Sequence, residues 1–152
     1  MSNYSKLVGL RNVGSYQVSG TPWMTGSGGA TGFPAEKVHR HTFPSVTKSV
    51  TIICTGGTDI RVAFQNGYTT FSPFTEDGFA GQKTYSASEV TMVNANYITV
   101  PASNGSVTFD VKCKEIFLTN HQSSTSGYEI FAELTGIPTG SMFSLTGSGI
   151  SV

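Results

Sequence analysis

The sequence predicts an all-β protein: a single β-sandwich or jelly-roll-like domain with an extended N-terminal arm. Apolar and polar residues alternate with period two along residues 45–54 and 128–136, which is the pattern of strands with one buried face. Short runs of this kind are separated by turns rich in Gly and Asn. No segment shows the 3.6-residue periodicity of an amphipathic helix. A chain of 152 residues suits one domain.

Strands are predicted first in the middle of the chain. EKVHRHTF, residues 36–43, precedes Pro44, and SVTKSVTIIC follows at residues 45–54. Thr-Gly-Gly-Thr at residues 55–58 has turn chemistry, and DIRVAFQN then continues as a strand. Residues 45–65 are therefore predicted to form a β-hairpin.

Further strands are predicted after residue 88. They are EVTMVN, NYITVPA, SVTFDVK, KEIFLTN and YEIFAELTG, with SMFSLTGSG as a candidate last strand. Asn104-Gly105 is a strong two-residue hairpin signal, so the strands on either side of it are expected to pair. About eight short strands at this spacing indicate a sandwich or jelly roll.

Two segments fall outside this pattern. Residues 1–35 are rich in Gly and Ser, which disfavour regular structure, and are predicted to form an arm that docks on its own domain or on a neighbouring subunit, with the β-sandwich domain over residues 36–152. Residues 66–89 are predicted to be an irregular insertion that packs on the sandwich or projects from it. The aromatic and Met side chains of both segments are the candidate interface residues: Tyr16, Trp23, Met24, Phe33, Phe71, Phe74 and Phe79.

Charge and apolar content exclude several classes of function. Only 12% of residues are charged and the formal net charge is zero, so binding driven by phosphate charge, and with it a nucleic-acid partner, is not expected. No segment approaches the apolar length of a membrane span, and no signal peptide is seen. A neutral surface poor in charge suits an assembly, which points to a homo-oligomer. Cys54 and Cys113 lie in or beside strand-like runs and are expected to be buried free thiols rather than a disulfide.

His39 and His41 are the first candidates for a metal site. Residues i and i+2 of a strand point to one face, so the two imidazoles would lie side by side. A zinc site would need a third ligand, and Glu36, His121 or a cysteine could supply it, but none stands at a diagnostic spacing. Hydrogen bonding at a surface or interface is the preferred interpretation, and no metal is predicted.

No set of residues points to catalysis. The G-x-S-x-G motif is absent, and Cys113 has no obvious His partner. Glu129 and Glu133 share a strand and Glu76 and Asp77 share a loop, but nothing selects a catalytic pair. GSGGATG lacks the G-K-[ST] of a phosphate loop. The prediction is a chain that is not an enzyme and needs no cofactor.

Three stretches of the chain resemble a known family. They are SKLVGLRNVGSYQVSGTPWMTGS, HTFPSVTKSVTIICTGGTDIRVAF, and FDVKCKEIFLTN with GYEIFAELTGIPTGSMFSLTGSGI. Together they cover more than half of the chain and are similar to small virion structural proteins of marine tailed phages, including cyanophages. Residues 66–89 show the least likeness.

The resemblance implies a non-enzymatic particle component, a capsid decoration or cement protein that is made in a host cytoplasm and is located in the virion. The implied partners are the major capsid protein or other virion proteins; placement on the head or the tail stays open. The alternative is a carbohydrate- or host-surface-binding module on the virion, in which aromatic side chains would stack on sugar rings.

Overall fold

The computed structural model of the chain describes residues 9–27, 32–35, 37–64, 97–143 and 145, together with the backbone of residues 82–86. In chain order the elements are α1 (Gly14–Gln17), β1 (Thr21–Gly26), β2 (Lys37–Thr42), β3 (Ser45–Cys54), β4 (Ile60–Ala63), β5 (Gln82–Ser86), β6 (Ile98–Val100), β7 (Ser106–Phe109), β8 (Glu115–Asn120) and β9 (Tyr128–Pro138). A short 3₁₀ turn, Thr139–Ser141, follows β9.

The strands form two antiparallel sheets. The four-stranded sheet has the order β1-β9-β3-β7, and the five-stranded sheet has the order β5-β2-β8-β4-β6. Without β5, consecutive strands alternate between the two sheets except for β4 and β6, which pair with each other in the five-stranded sheet, and this is the strand order of a jelly roll. The predicted all-β sandwich with jelly-roll character is therefore confirmed.

The core lies between the two sheets. Strand residues that alternate inward fill it: Val50, Ile52, Ile60, Val62, Ile116, Leu118, Ile130 and Ala132, all at most 2% exposed. A smaller cluster of Val46, Ile137 and Met142, with Leu10 and Tyr16 packed on it, fills one end. Alternation of this kind places one face of a strand in the core.

Both predicted hairpins are wrong in their pairing. β3 pairs with β9 and β7, whereas β4 pairs with β8 and β6, so residues 45–65 cross from one sheet to the other. The Asn104 turn likewise joins β6 of one sheet to β7 of the other. The left-handed residues of this turn are Ser103 and Asn104, with φ of 59° and 67°, one position earlier than the Asn104-Gly105 pair of a two-residue hairpin would require. Both segments are therefore turns, as predicted, but each forms an arch that connects a strand of one sheet to a strand of the other and does not close a hairpin.

The two arches are hydrogen-bonded to each other. The Cys54 N–H donates to the Gly105 carbonyl at 2.8 Å, and the Asn104 N–H donates to the Cys54 carbonyl at 2.8 Å. A Cβ on Gly56 would lie 2.4 Å from the Gly127 nitrogen, so only glycine fits there. This end of the sandwich is built from close backbone contacts.

The N-terminal segment is partly a strand of the sandwich. Residues 21–26, expected in an arm, form β1 at the edge of the four-stranded sheet and pair with β9 over their full length. Phe33 is fully buried in the core, and its N–H donates to the Ser126 carbonyl at 2.9 Å. The segment therefore docks on its own domain. The boundary expected at residue 36 is corrected for the described residues 21–27 and 32–35, because they are part of the folded unit.

The predicted irregular insertion, residues 66–89, lies largely outside the described residues. Within it, residues 82–86 form β5, which pairs with β2 at the edge of the five-stranded sheet. That part of the insertion is regular, which corrects the prediction. Of the other predicted strands, EVTMVN lies outside the described residues, and in SMFSLTGSG the described residues Ser141–Phe143 are not in a strand.

Candidate functional site

The outer face of the four-stranded sheet carries the exposed apolar residues of its strands. Met24 on β1 lies opposite Phe131 on β9, Phe131 lies opposite Thr51 on β3, and Thr51 lies opposite Thr108 on β7. Met24 is 73% exposed and Phe131 is 40% exposed. The two Thr hydroxyls are 2.9 Å apart and hydrogen-bonded. We call this row and the row beside it, Gly26, Glu129, Ile53 and Ser106, the outer face.

The two sheets differ in how their outer sides are buried. Val38, Ala63 and Phe117 point away from the core on the five-stranded sheet, yet each is at most 4% exposed. On the four-stranded sheet the corresponding positions, such as Met24 and Phe131, are open to solvent. Large apolar side chains in contact with water in a shared row indicate a binding surface.

A cavity of about 950 Å³ lies at one end of the outer face. Its apolar wall includes Met24, Ile53 and Phe131, and Glu129 supplies the one charged side chain among its described lining residues. Gly26 forms part of the floor, and a Cβ there would come within 3.0 Å of a backbone oxygen. The volume is in the range of ligand sites, and the lining combines an apolar wall with a few polar groups.

Charges on the outer face and beside it are few and mainly acidic. Glu129 and Glu133 flank Phe131 along β9. Ser49 donates a hydrogen bond to the Glu133 carboxylate at 3.3 Å, and the Lys48 ammonium lies 4.0 Å from it. An exposed pair of this length contributes at most about 1 kcal/mol, so the charges frame the apolar row rather than stabilise the fold.

A second polar cluster lies inside the sandwich. The predicted common face of His39 and His41 is confirmed, and it points into the core rather than to the surface. His39 Nδ1 and His41 Nε2 each lie 2.7 Å from the Tyr128 hydroxyl on the opposite sheet. All three side chains are at most 3% exposed. The Tyr128 hydroxyl therefore links the two sheets through the core.

Tyr128 can satisfy both imidazoles when one ring accepts its hydroxyl hydrogen and the other ring donates an N–H to its oxygen, and the accepting ring must then be neutral. Its hydroxyl has one hydrogen, which it donates to one ring nitrogen, while its oxygen accepts the N–H of the other ring. A proton added to the accepting ring would leave two N–H donors facing the oxygen and the hydroxyl hydrogen without its acceptor. Burial, with a smaller contribution from His39, lowers the pKa of His41 to about 3. Burial also raises the pKa of the Tyr128 phenol above its usual range.

This cluster is a structural link, in which His39 Nδ1 and His41 Nε2 both face the Tyr128 hydroxyl. Among the residues that the structure describes, no group of three or more His, Cys, Asp or Glu is arranged to hold a metal ion. His121, one of the candidate third ligands, is hydrogen-bonded through its ring Nε2 to Gln122 at 2.8 Å. Glu36 lies outside the described residues.

The two thiols are buried and free, as predicted. Cys113 Sγ lies 3.2 Å from the Thr47 hydroxyl, and burial raises the pKa of this thiol to about 12. A thiol with so high a pKa is almost wholly protonated at neutral pH and is a poor nucleophile. Cys54 contacts the Thr58 carbonyl at 3.2 Å, within the arch that follows β3.

The predicted interface residues separate into four groups. Met24 is on the outer face, as an interface residue must be. Trp23 instead turns inward, and its ring centroid lies 4.9 Å from that of Phe43 in an edge-to-face contact. Phe33 is in the core. Phe33 is corrected as an interface residue because its docking buries it fully, whereas Trp23 is half-buried. Tyr16 is half-buried on the small end cluster and donates to the Leu10 carbonyl at 3.1 Å. Phe71, Phe74 and Phe79 lie outside the described residues.

Sequence reasoning missed Phe131 and Ile53 as surface residues. The alternation of YEIFAELTG did place Phe131 on the same side of the strand as Glu129 and Glu133. An aromatic residue between two acids on the polar side of a strand is the signal that could have identified it.

Comparison with known proteins adds no relative: no family model, no curated protein and no solved structure matches the chain. None of the helices in the described ranges is long and apolar enough to cross a membrane.

Proposed function

We propose that the chain is a structural component of a tailed-phage virion, a capsid decoration or cement protein that binds the shell through the outer face of its four-stranded sheet. The observation that carries the binding role is the side-by-side exposure of Met24 and Phe131 in one row of that face. Met and aromatic residues are enriched in protein interfaces. The virion setting rests on the resemblance of three segments of the sequence.

The fold is compatible with this role by analogy. Jelly rolls occur in viral capsid proteins and in lectins, although a fold alone does not determine a function. A decoration protein acts by burying surface on several shell subunits, and many weakly bound copies together resist expansion of the shell. The proposed role requires a rigid surface and no chemistry.

The alternative role is recognition of a carbohydrate in the cavity at the end of the outer face. The exposed ring of Phe131 could stack on a sugar, and the Glu129 carboxylate could accept hydrogen bonds from its hydroxyl groups. A glycan array separates the two roles. Saturable binding of a glycan that is lost in Phe131→Thr supports recognition of sugars, whereas binding to none of the glycans opposes it.

The test of the main proposal uses particles purified from a phage that lacks the gene. The wild-type chain is expected to bind them saturably, and Phe131→Thr is expected to bind at least tenfold more weakly. Thr retains the preference for a strand, so the fold should persist. Ile98→Thr is the matched control, because Ile98 is an exposed apolar strand residue on the other sheet. Equal binding of all three proteins would overturn the proposal.

A further inference from the structure

The edge strand β1 has an open hydrogen-bonding side. It pairs with β9 on one side, and among the described strands none pairs with the other side. The Ser27 N–H donates to the Tyr128 carbonyl at 3.0 Å, which fixes the alternation along this antiparallel pair. The backbone groups of Thr21, Trp23 and Thr25 therefore point to β9.

The backbone groups of the intervening residues point outward. Along the open side the donors are the N–H groups of Met24 and Gly26, and the acceptors are the carbonyls of Pro22, Met24 and Gly26. Proline has no N–H, and its position here is the one that an edge strand tolerates. This pattern is self-complementary: with Met24 opposite Met24 of a second copy, each Met24 N–H reaches the other Met24 carbonyl. Each Gly26 N–H then reaches the other Pro22 carbonyl, giving four hydrogen bonds.

The edge strand β1 carries no charge that would repel a second copy of itself. Natural edge strands are commonly protected by Lys or Pro on the edge, by inward charges or by bulges. The six residues of β1, TPWMTG, carry no charge, and its register with β9 is continuous. Pro22 blocks only one end. Two copies of β1 can therefore approach each other without placing like charges opposite one another.

The surface beside the edge supplies apolar area. A stable interface buries about 800 Å² on each partner, more than a six-residue strand offers by itself. Three of the six large exposed apolar residues among the described ones lie on β1, shortly before it or on the adjacent strand: Val18, Met24 and Phe131. Val18 is three residues before β1, and Phe131 is on the adjacent strand.

We propose that the chain forms a symmetric dimer through antiparallel pairing of β1 with β1 of a second copy, with Met24 at the two-fold axis. The two four-stranded sheets then become one sheet of eight strands. Because the axis is perpendicular to the sheet, the two outer faces lie side by side, and the row from Thr108 to Met24 continues into the partner. The dimer would double the surface assigned to shell binding, but the pairing itself does not rest on that function.

The first experiment measures the mass of the wild-type chain in solution by light scattering. The expected mass is about twice the 16.1 kDa of one chain. Met24→Lys places two ammonium groups opposite each other at the axis and is expected to halve the mass. Met24 is mostly exposed, so this variant should fold. A wild-type mass of 16.1 kDa, or a Met24→Lys dimer, would overturn the proposal.

The second experiment tests the register directly. Residues in a hydrogen-bonded antiparallel pair have Cα atoms about 5.5 Å apart, which a disulfide can span. Met24→Cys is expected to give a covalent dimer with oxidised glutathione as oxidant, whereas Thr108→Cys, exposed on the opposite edge strand, is the control and should stay monomeric on a denaturing gel. Equal cross-linking of the two variants contradicts pairing through β1. Neither experiment uses particles, so a failed dimer and a failed shell-binding role give different results.

Discussion

Acid should destabilise the fold through the buried imidazole of His41. In the unfolded chain His41 titrates near its ordinary pKa of 6.5, whereas in the folded chain burial holds the pKa at about 3. Between these values the unfolded state binds more protons than the folded state, so stability is present above pH 6.5 and is lost as the pH falls. Each pH unit in this window costs about 1.4 kcal/mol, so lowering the pH from 7 to 5 should cost about 2 kcal/mol.

The measurement is urea unfolding at pH 7 and at pH 5, followed by fluorescence of Trp23, the one tryptophan in the chain. Trp23 lies 6.3 Å from the His41 ring, between centroids, so its emission reports on this part of the core. His41→Gln keeps an Nε2 donor for Tyr128 but cannot titrate. The variant should lose about 2 kcal/mol less than wild type over the same pH interval.

His121 is a second group that makes the fold sensitive to acid. Its pKa is also lowered, by burial first and then by Arg61, so it adds an acid sensitivity of the same sign. That contribution is common to wild type and His41→Gln and cancels in their difference. An unchanged pH dependence in His41→Gln would refute the assignment of the acid sensitivity to the buried cluster.

Three further predictions follow from individual contacts. Tyr128→Phe leaves a buried imidazole nitrogen unsatisfied on each of two rings and should cost about 2–4 kcal/mol in urea unfolding at pH 7; a loss below about 0.5 kcal/mol would contradict the link. Gly56→Ala puts a Cβ 2.4 Å from the facing backbone nitrogen of Gly127 and should lower the free energy of unfolding by about 1–3 kcal/mol. Gly57→Ala, with open space around its Cβ, should change it by less than about 0.5 kcal/mol. Cys54 and Cys113 should react with a thiol reagent only on unfolding; rapid reaction of the native protein would contradict their burial.

Local sequence patterns predicted the strands but not their partners. Alternation located β3, β8 and the start of β9 to within a residue or two, because each has one face in the core. Pairing depends on which sheet a strand joins. In a jelly roll a short turn can connect two strands of different sheets or two strands of the same sheet. The turn residues at 55–58 and at Asn104 therefore predict a turn but do not distinguish an arch from a hairpin.

The N-terminal segment shows a second limit. β1 has glycines on both sides and only six residues, so composition favoured an arm. Its strand conformation comes from pairing with β9, which is more than 100 residues away in sequence. Tertiary pairing overrides a weak local preference in such cases.

The candidate site was predictable in part. The common face of His39 and His41 followed from strand geometry, but their partner Tyr128 is 89 and 87 residues away and is brought to them only by the packing of the two sheets. Met24 was identified from its unusual setting in a Gly-rich segment. Its neighbour Phe131 became visible as a surface residue only through the register of β1 with β9.

The proposed virion structural role is tested most directly by quantitative mass spectrometry of particles purified from a phage whose genome carries the gene. The account predicts that the protein is present at a fixed ratio to the major capsid protein or another virion protein, and that the ratio is the same in independent preparations and after washing in high salt. Absence of the protein from purified particles, or a ratio that falls toward zero with each purification step, would contradict the account.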